Sequence, residues 1–211
     1  CTAGLDLSRG NADAVVKLIR QIGEKKGFGA LLGQGTVKAA EEIGGLAREF
    51  VVHSKGLDLP AHDPRAYSSL ALAYATSNRG ACHLQGFTHA LEVAVTMPEL
   101  GFPDILDRFS PEQKGAMTAA MQDLMSLFDS LKLCKFMVWG GVKVHHLVEW
   151  LNLVTGWDFD QESFLLAGER IFNLKRLYNV RLGISRQDDT VSARVLTEEK
   201  GGGAGDHLPH L

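Results

Sequence analysis

The stretch from Ser110 to Cys134 limits the fold more than any other. Ser110-Pro111-Glu112-Gln113 pairs a capping serine with a proline at the first helical position, and apolar residues then recur at helical spacing as far as Leu131. A helix of that length has to bury its apolar face against other elements. Similar periodicity predicts helices over residues 11–26 (Val15, Val16, Leu18, Ile19, Ile22), closed by Gly27, and over 34–43, closed by Gly44-Gly45. Asp63-Pro64-Arg65 again has start chemistry, for a helix from Pro64 to about Thr76 rich in small residues. Further helices are expected over 142–154 and from Phe159 or Asp160 to Tyr178, the latter with a capping pattern. Residues 28–33 read as an apolar link, 50–53 as extended and 55–60 as a loop. Residues 88–95 are ambiguous, and the chain beyond Arg181 reads as irregular. With no hairpin signal, no βαβ alternation and no internal repeat, the fold class is all-α, with about six helices. Gly27-Phe28-Gly29 lacks the third glycine and the preceding strand of a dinucleotide-binding turn.

Composition narrows the function classes. A net charge of −3 over 211 residues leaves no electrostatic footprint for nucleic acid or an anionic membrane. No apolar run is long enough to span a bilayer. Three scattered cysteines, Cys1, Cys82 and Cys134, do not make a disulfide framework, and with no signal-peptide pattern a reducing, cytoplasmic setting is expected. The chain opens without Met in the middle of a motif and closes on a glycine tract. It is therefore expected to be an internal or C-terminal piece of a longer protein, with a helical region over 1–194 and a flexible tail over 195–211.

Four constellations carry chemistry-bearing residues. Cys1-Thr2-Ala3-Gly4-Leu5-Asp6 and Asp129-Ser130-Leu131-Lys132-Leu133-Cys134 echo one another. Asp129 sits near a helix C-terminus, where the dipole disfavours an anion, so its carboxylate wants hydrogen-bond donors. Both aspartates are equally readable as turn residues. A lone Cys134 is more often a small buried hydrophobe than a metal ligand. Arg79-Gly80-Ala81-Cys82-His83 groups a guanidinium, a permissive glycine and an imidazole, which suits an anion and a proton-transfer step. A helix cap with a packed histidine explains the same residues. A zinc site at Cys82 and His83 has poor geometry, and His145-His146 lack partners at ligand spacing. Residues 168–179 and 186–189 are dense in charge and amide, as in an ion-paired structural helix.

In their order along the chain, these motifs closely resemble the aldehyde ferredoxin oxidoreductase family. They are Gly4-Leu5-Asp6, Asp63-Pro64-Arg65, Tyr74-Ala75-Thr76, Arg79-Gly80-x-Cys82-His83, Asp129-x-x-x-Leu133-Cys134, Asn152-x-x-Thr155-Gly156, Gly168-Glu169-Arg170-Ile171-x-Asn173 and Arg186-x-Asp188-Asp189. The resemblance runs from residue 1 to about residue 194. It implies an enzyme with a tungsten or molybdenum bis-pterin cofactor and a 4Fe–4S cluster. Such an enzyme oxidises a small aldehyde to a carboxylate and passes electrons to ferredoxin. It further implies that Gly4, Leu5, Asp6, Asp129 and Leu133 hold pterin, that Cys134 is the fourth cluster ligand, and that His83 lies beside the metal centre. Cys1 stands where the first family motif has Asp, and Lys132 where the second has Gly. The other cluster ligands and a β-rich N-terminal domain are absent from this stretch, so partners would include that missing part of the same chain, with a homodimer also open. Other family chemistries remain as alternatives, namely aromatic acyl-thioester reduction or oxidation of a sugar-phosphate aldehyde. A non-catalytic helical interaction domain is the alternative from outside the family.

Overall fold

A computed structural model of the chain describes residues 5–199 and 207–211. The chain forms two compact units, Cys1–Val51 and Val52–Leu211. Cys1 and Gly4 lie outside the described residues.

The first unit holds α1 (Ala12–Gly23), α2 (Phe28–Leu32) and α3 (Thr36–Ile43), followed by a 3-10 turn over Gly45–Phe50. Asn11 caps α1 by accepting a hydrogen bond from the Ala14 amide at 3.2 Å. The helix stops before the expected Gly27. Lys25 turns left-handed (φ 53°), and the Lys26 amide donates to the Gln21 carbonyl at 2.9 Å, which closes the last turn. The expected link over 28–33 is the short helix α2. It crosses α1 so closely that a Cβ on Gly29 would lie 2.2 Å from the Gln21 carbonyl carbon.

The second unit opens on a hairpin of β1 (His53–Ser54) and β2 (Leu57–Asp58), paired antiparallel with His53 opposite Asp58. Lys55 and Gly56 both have positive φ (49° and 80°), the backbone of a two-residue hairpin turn. Then come α4 (Ser68–Thr76), α5 (His83–Gly86), α6 (His89–Val93), α7 (Lys114–Ser130), α8 (Val144–Thr155), α9 (Gln161–Arg181) and α10 (Ala193–Thr197). Among the described residues strand is confined to β1 and β2, so the all-α reading holds.

The long helix is the centre of this unit. α7 packs against α4, α5 and α9, and buries Met117, Met121, Leu124, Met125 and Phe128 almost completely. α9 crosses it at Gly168, where a Cβ would sit 2.5 Å from the Asp123 carbonyl oxygen. Burial and the nearby Glu169 push the Asp123 carboxyl up to about 6. A smaller core joins Leu70 and Tyr74 of α4 to Val191 and Val195. The expected boundary at residue 194 therefore falls inside a packed helix, α10.

Both cap-plus-proline pairs sit a turn ahead of the helix they were expected to start. At Asp63 the carboxylate instead takes the Arg65 amide at 3.0 Å and the Arg65 guanidinium at 3.0 and 2.7 Å, and α4 begins only at Ser68. At Pro111 the backbone turns through a left-handed Gln113 (φ 63°), and α7 begins at Lys114. Among the described residues no helix is long and apolar enough to cross a membrane.

Candidate functional site

After α4 the chain turns at Ser77, whose Oγ accepts from the Arg79 amide at 3.3 Å, and passes beneath the hairpin. Gly80 makes that passage possible. Its φ is 90°, and a Cβ there would meet the Ser54 carbonyl oxygen at 2.4 Å. Gly80→Ala should therefore combine left-handed strain with a backbone clash, at a cost of roughly 2–4 kcal/mol. A lowered thermal midpoint would check this, and an unchanged one would count against so tight a passage. Beyond Gly80, the extended residue Cys82 precedes the first turn of α5, which begins at His83.

Two side chains fasten α5 to the end of α7. Lys135 Nζ donates to the Leu84 carbonyl at 2.7 Å and pairs with Asp129 Oδ1 at 2.9 Å. Gln85 Nε2 donates to Asp129 Oδ2 at 3.3 Å. The second and third sequence constellations, about 45 residues apart, thus meet at Asp129. Each Asp129 oxygen has one donor and a second lone pair to spare, and the side chain is partly open to solvent.

The loop from Asp129 to Cys134 is a helix C-terminus of defined type. The Leu133 amide donates to the Phe128 carbonyl at 2.9 Å and the Lys132 amide to the Asp129 carbonyl at 3.3 Å, with Lys132 left-handed (φ 59°). That backbone favours glycine. A lysine there carries about 1–2 kcal/mol of strain, which explains why this position suits the glycine of the resembled motif. Leu133 packs against the main core, whereas Cys134 is an exposed, free thiol. Among the described residues nothing packs Cys134 as a small buried hydrophobe.

His83 is not alone. Its ring lies 4.3 Å from that of His62, edge-on at 61°, and His62 stacks on His89 at 5.1 Å. His83 and His89 are 6.1 Å apart. Burial, then His62 and Lys135, hold the His83 imidazole below its ordinary range. Burial pushes His89 further, to about 4, with His62 and His83 adding to the effect. The unfolded chain protonates this group near 6.5 and the folded chain only near 4, so acidification through that window weakens the second unit. His89 Nδ1 is buried with no hydrogen-bond partner. Below His89, Glu92 is held by Lys114 at 2.7 Å and by Ser69 Oγ at 2.6 Å. Burial nevertheless lifts its carboxyl above the ordinary range.

A groove of about 960 Å³ opens beside Gln85, between the Asn78–Arg79 loop and α9. Leu174, Leu177 and Tyr178 give it an apolar wall, and Arg79, Lys175 and Arg181 stand around it. The Asn78 side-chain oxygen is buried there without a donor.

In the first unit, Asp6 Oδ1 accepts from the Ser8 amide at 3.1 Å, the contact that most holds its carboxyl below the ordinary range. Leu5 is buried. Among the described residues no group of three or more His, Cys, Asp or Glu is arranged to hold a metal ion. Sequence reasoning missed His62, Gln85 and Lys135. His62 immediately precedes Asp63-Pro64-Arg65 and Lys135 immediately follows Cys134, so adjacency to a motif was the available signal.

Comparison with known proteins agrees with the family resemblance. The family described as aldehyde ferredoxin oxidoreductase, domains 2 and 3, matches residues 1–210. A tungsten-containing aldehyde ferredoxin oxidoreductase of Pyrococcus furiosus is 37% identical over 191 residues, covering 90% of this chain and 30% of the relative. That of Thermococcus kodakarensis is 36% identical over the same shares. The WOR-like subunit of an aliphatic sulfonate oxidoreductase from Pyrococcus furiosus is 28% identical over 179 residues, covering 82% of this chain and 25% of the relative. The chain spans about 30% of the length of the tungsten-containing relatives. With the family match running across nearly every residue, the chain belongs to the aldehyde ferredoxin oxidoreductase family.

Proposed function

We propose that this chain supplies one wall of the active site of an aldehyde:ferredoxin oxidoreductase. In the reaction an aldehyde and water give a carboxylate, two electrons and three protons, and ferredoxin takes the electrons. One observation carries the reading. The helix that begins with His83 is tied through Lys135 and Gln85 to Asp129, five residues from the exposed thiol of Cys134.

The residues present fit the implied cofactors. A pterin is rich in N–H donors and carries phosphate, and the groove and the helix end beside it offer matching groups. In the groove the Asn78 oxygen lacks a donor and Arg79, Lys175 and Arg181 supply positive charge, and next to it Asp129, held by the groove residue Gln85, has acceptor capacity left. Leu133 supports the loop from below, and Asp6 with Gly4 and Leu5 serves the second pterin. When bound, a tungsten or molybdenum centre and a 4Fe–4S cluster would supply the redox chemistry, taking two electrons from the aldehyde and releasing them singly. Cys134 contributes one thiolate to the cluster. The remaining ligands come from elsewhere in the full protein, because four irons need four ligands. His83, held neutral by burial and by its cationic neighbour, takes up a proton as the carboxylate forms. The free cysteines suit a reducing cytoplasm.

The test is an anaerobically prepared full-length enzyme. It should contain tungsten or molybdenum together with iron, and should reduce ferredoxin only when an aldehyde is present. Absence of both metals, or activity solely with acyl thioesters, sugar phosphates or alkyl sulfonates, would overturn the reading.

A further inference from the structure

We propose that His62 is the outward relay of this site, receiving from His83 the proton released in the reaction and passing it to solvent. The inference rests on the role given to His83 above. Each aldehyde oxidised leaves three protons to be removed from an enclosed site, so a proton on a half-buried His83 needs an acceptor close by. His62 is the imidazole nearest to it, 4.3 Å between ring centroids. At that separation a proton has at most about one water to cross.

Burial sets the direction. Among the described residues of this chain, His89 is only 8% exposed, His83 is half-buried and His62 is exposed. His89 cannot be the exit, because its Nδ1 is sealed without a partner. The side chain of His62 reaches solvent while its backbone is fixed. The His62 carbonyl accepts from Tyr74 Oη at 2.9 Å, and Tyr74 is fully buried in α4. The next residue, Asp63, is clamped to Arg65, which donates to the Glu198 carbonyl at 2.8 Å.

The surrounding charges do not trap the proton. Lys135, facing His83 from beyond α7, is bound to Leu84 and Asp129. Glu92 on α6 is neutralised by Lys114 of α7, and Asp63 by Arg65.

The experiment uses the full-length enzyme with His62→Gln. In weak buffer, kcat should fall roughly tenfold, while KM for the aldehyde stays within about twofold. Added imidazole should restore most of the loss, which rescue of a structural defect would not do. A second readout avoids turnover. In enzyme prepared without tungsten, C2-hydrogen exchange of individual histidines, followed by mass spectrometry, should show the titration midpoint of His83 moving upward once His62 is gone. Unchanged kcat in every buffer, or a loss that imidazole does not rescue, would overturn the relay. If His83→Asn itself left turnover intact, the fault would lie with the role of His83.

Discussion

Replacing Asp189 by alanine is expected to destabilise the second unit by about 3–5 kcal/mol. The carboxylate side chain is 6% exposed and has two cations on it. Arg176 of α9 forms a bidentate pair at 2.8 and 2.8 Å, and Lys55 of the hairpin turn approaches to 2.9 Å. Lys55 also donates to the Ala75 carbonyl of α4. Asp189 thus joins the hairpin to α9 and to the segment leading into α10, Lys55 extends the link to α4, and removal of Asp189 leaves two cations uncompensated. Burial alone would raise this carboxyl, but hydrogen bonds from Arg176 and Lys55 outweigh it and hold the group below its ordinary range. The stabilisation is therefore complete above the unfolded value near 3.8 and is lost as pH falls from there through the lower folded value. Denaturant unfolding at pH 7 and pH 3 measures both effects. The variant should be far less stable at pH 7, and the gap should narrow at pH 3. Stability equal to the parent at pH 7 would refute the triad as a fastening.

Turnover should fall roughly 100-fold in a His83→Asn enzyme, about 2.7 kcal/mol in barrier, with metal content retained. Asparagine keeps a polar side chain of similar reach but cannot exchange a proton near neutral pH. His89 belongs to the same cluster, so it is less a rival than a neighbour with another task. Its ring packs edge-on against Phe87 at 5.1 Å and lies 6.4 Å from Trp139. His89→Gln should therefore lower thermal stability more and turnover less than His83→Asn. The opposite ranking would place proton transfer on His89.

The elements that were legible in the sequence are those with strong local signals. The periodicity from Met117 to Phe128 marks a helix buried along its length, and α7 is that helix. The capping pattern expected near Phe159 or Asp160 is present, with Asp160 as the cap accepting from the Ser163 amide at 2.8 Å. The failures have local causes too. Lys55-Gly56 makes a hairpin turn with lysine at a position where asparagine or aspartate is the usual signal. Asp63 spends its carboxylate on Arg65, which no propensity foretells. Long-range geometry was out of reach altogether. The pairing of Lys55 with Asp189 spans 134 residues, and the His62–His83 contact depends on how the loop before α4 folds back.

Several motifs that carry the resemblance prove to be structural. Gly168 allows α9 to cross α7, and the Asn152 amide clamps the Phe159 backbone at 2.8 and 3.0 Å. Asp189 is the ion-pair hub. Other positions in the same motifs are the ones that the proposed function assigns to a cofactor.

Cys134 separates those two kinds of residue most directly. It is exposed at the end of α7, contributes little to the core, and has no packing reason to be a cysteine. In the full-length enzyme, Cys134→Ser should leave thermal unfolding and tungsten or molybdenum content near those of the parent. Its iron and the electron paramagnetic resonance signal of the reduced cluster should be lost. A variant with full iron content, an unaltered cluster signal and undiminished aldehyde oxidation would contradict the assignment of this helix end to the redox centre.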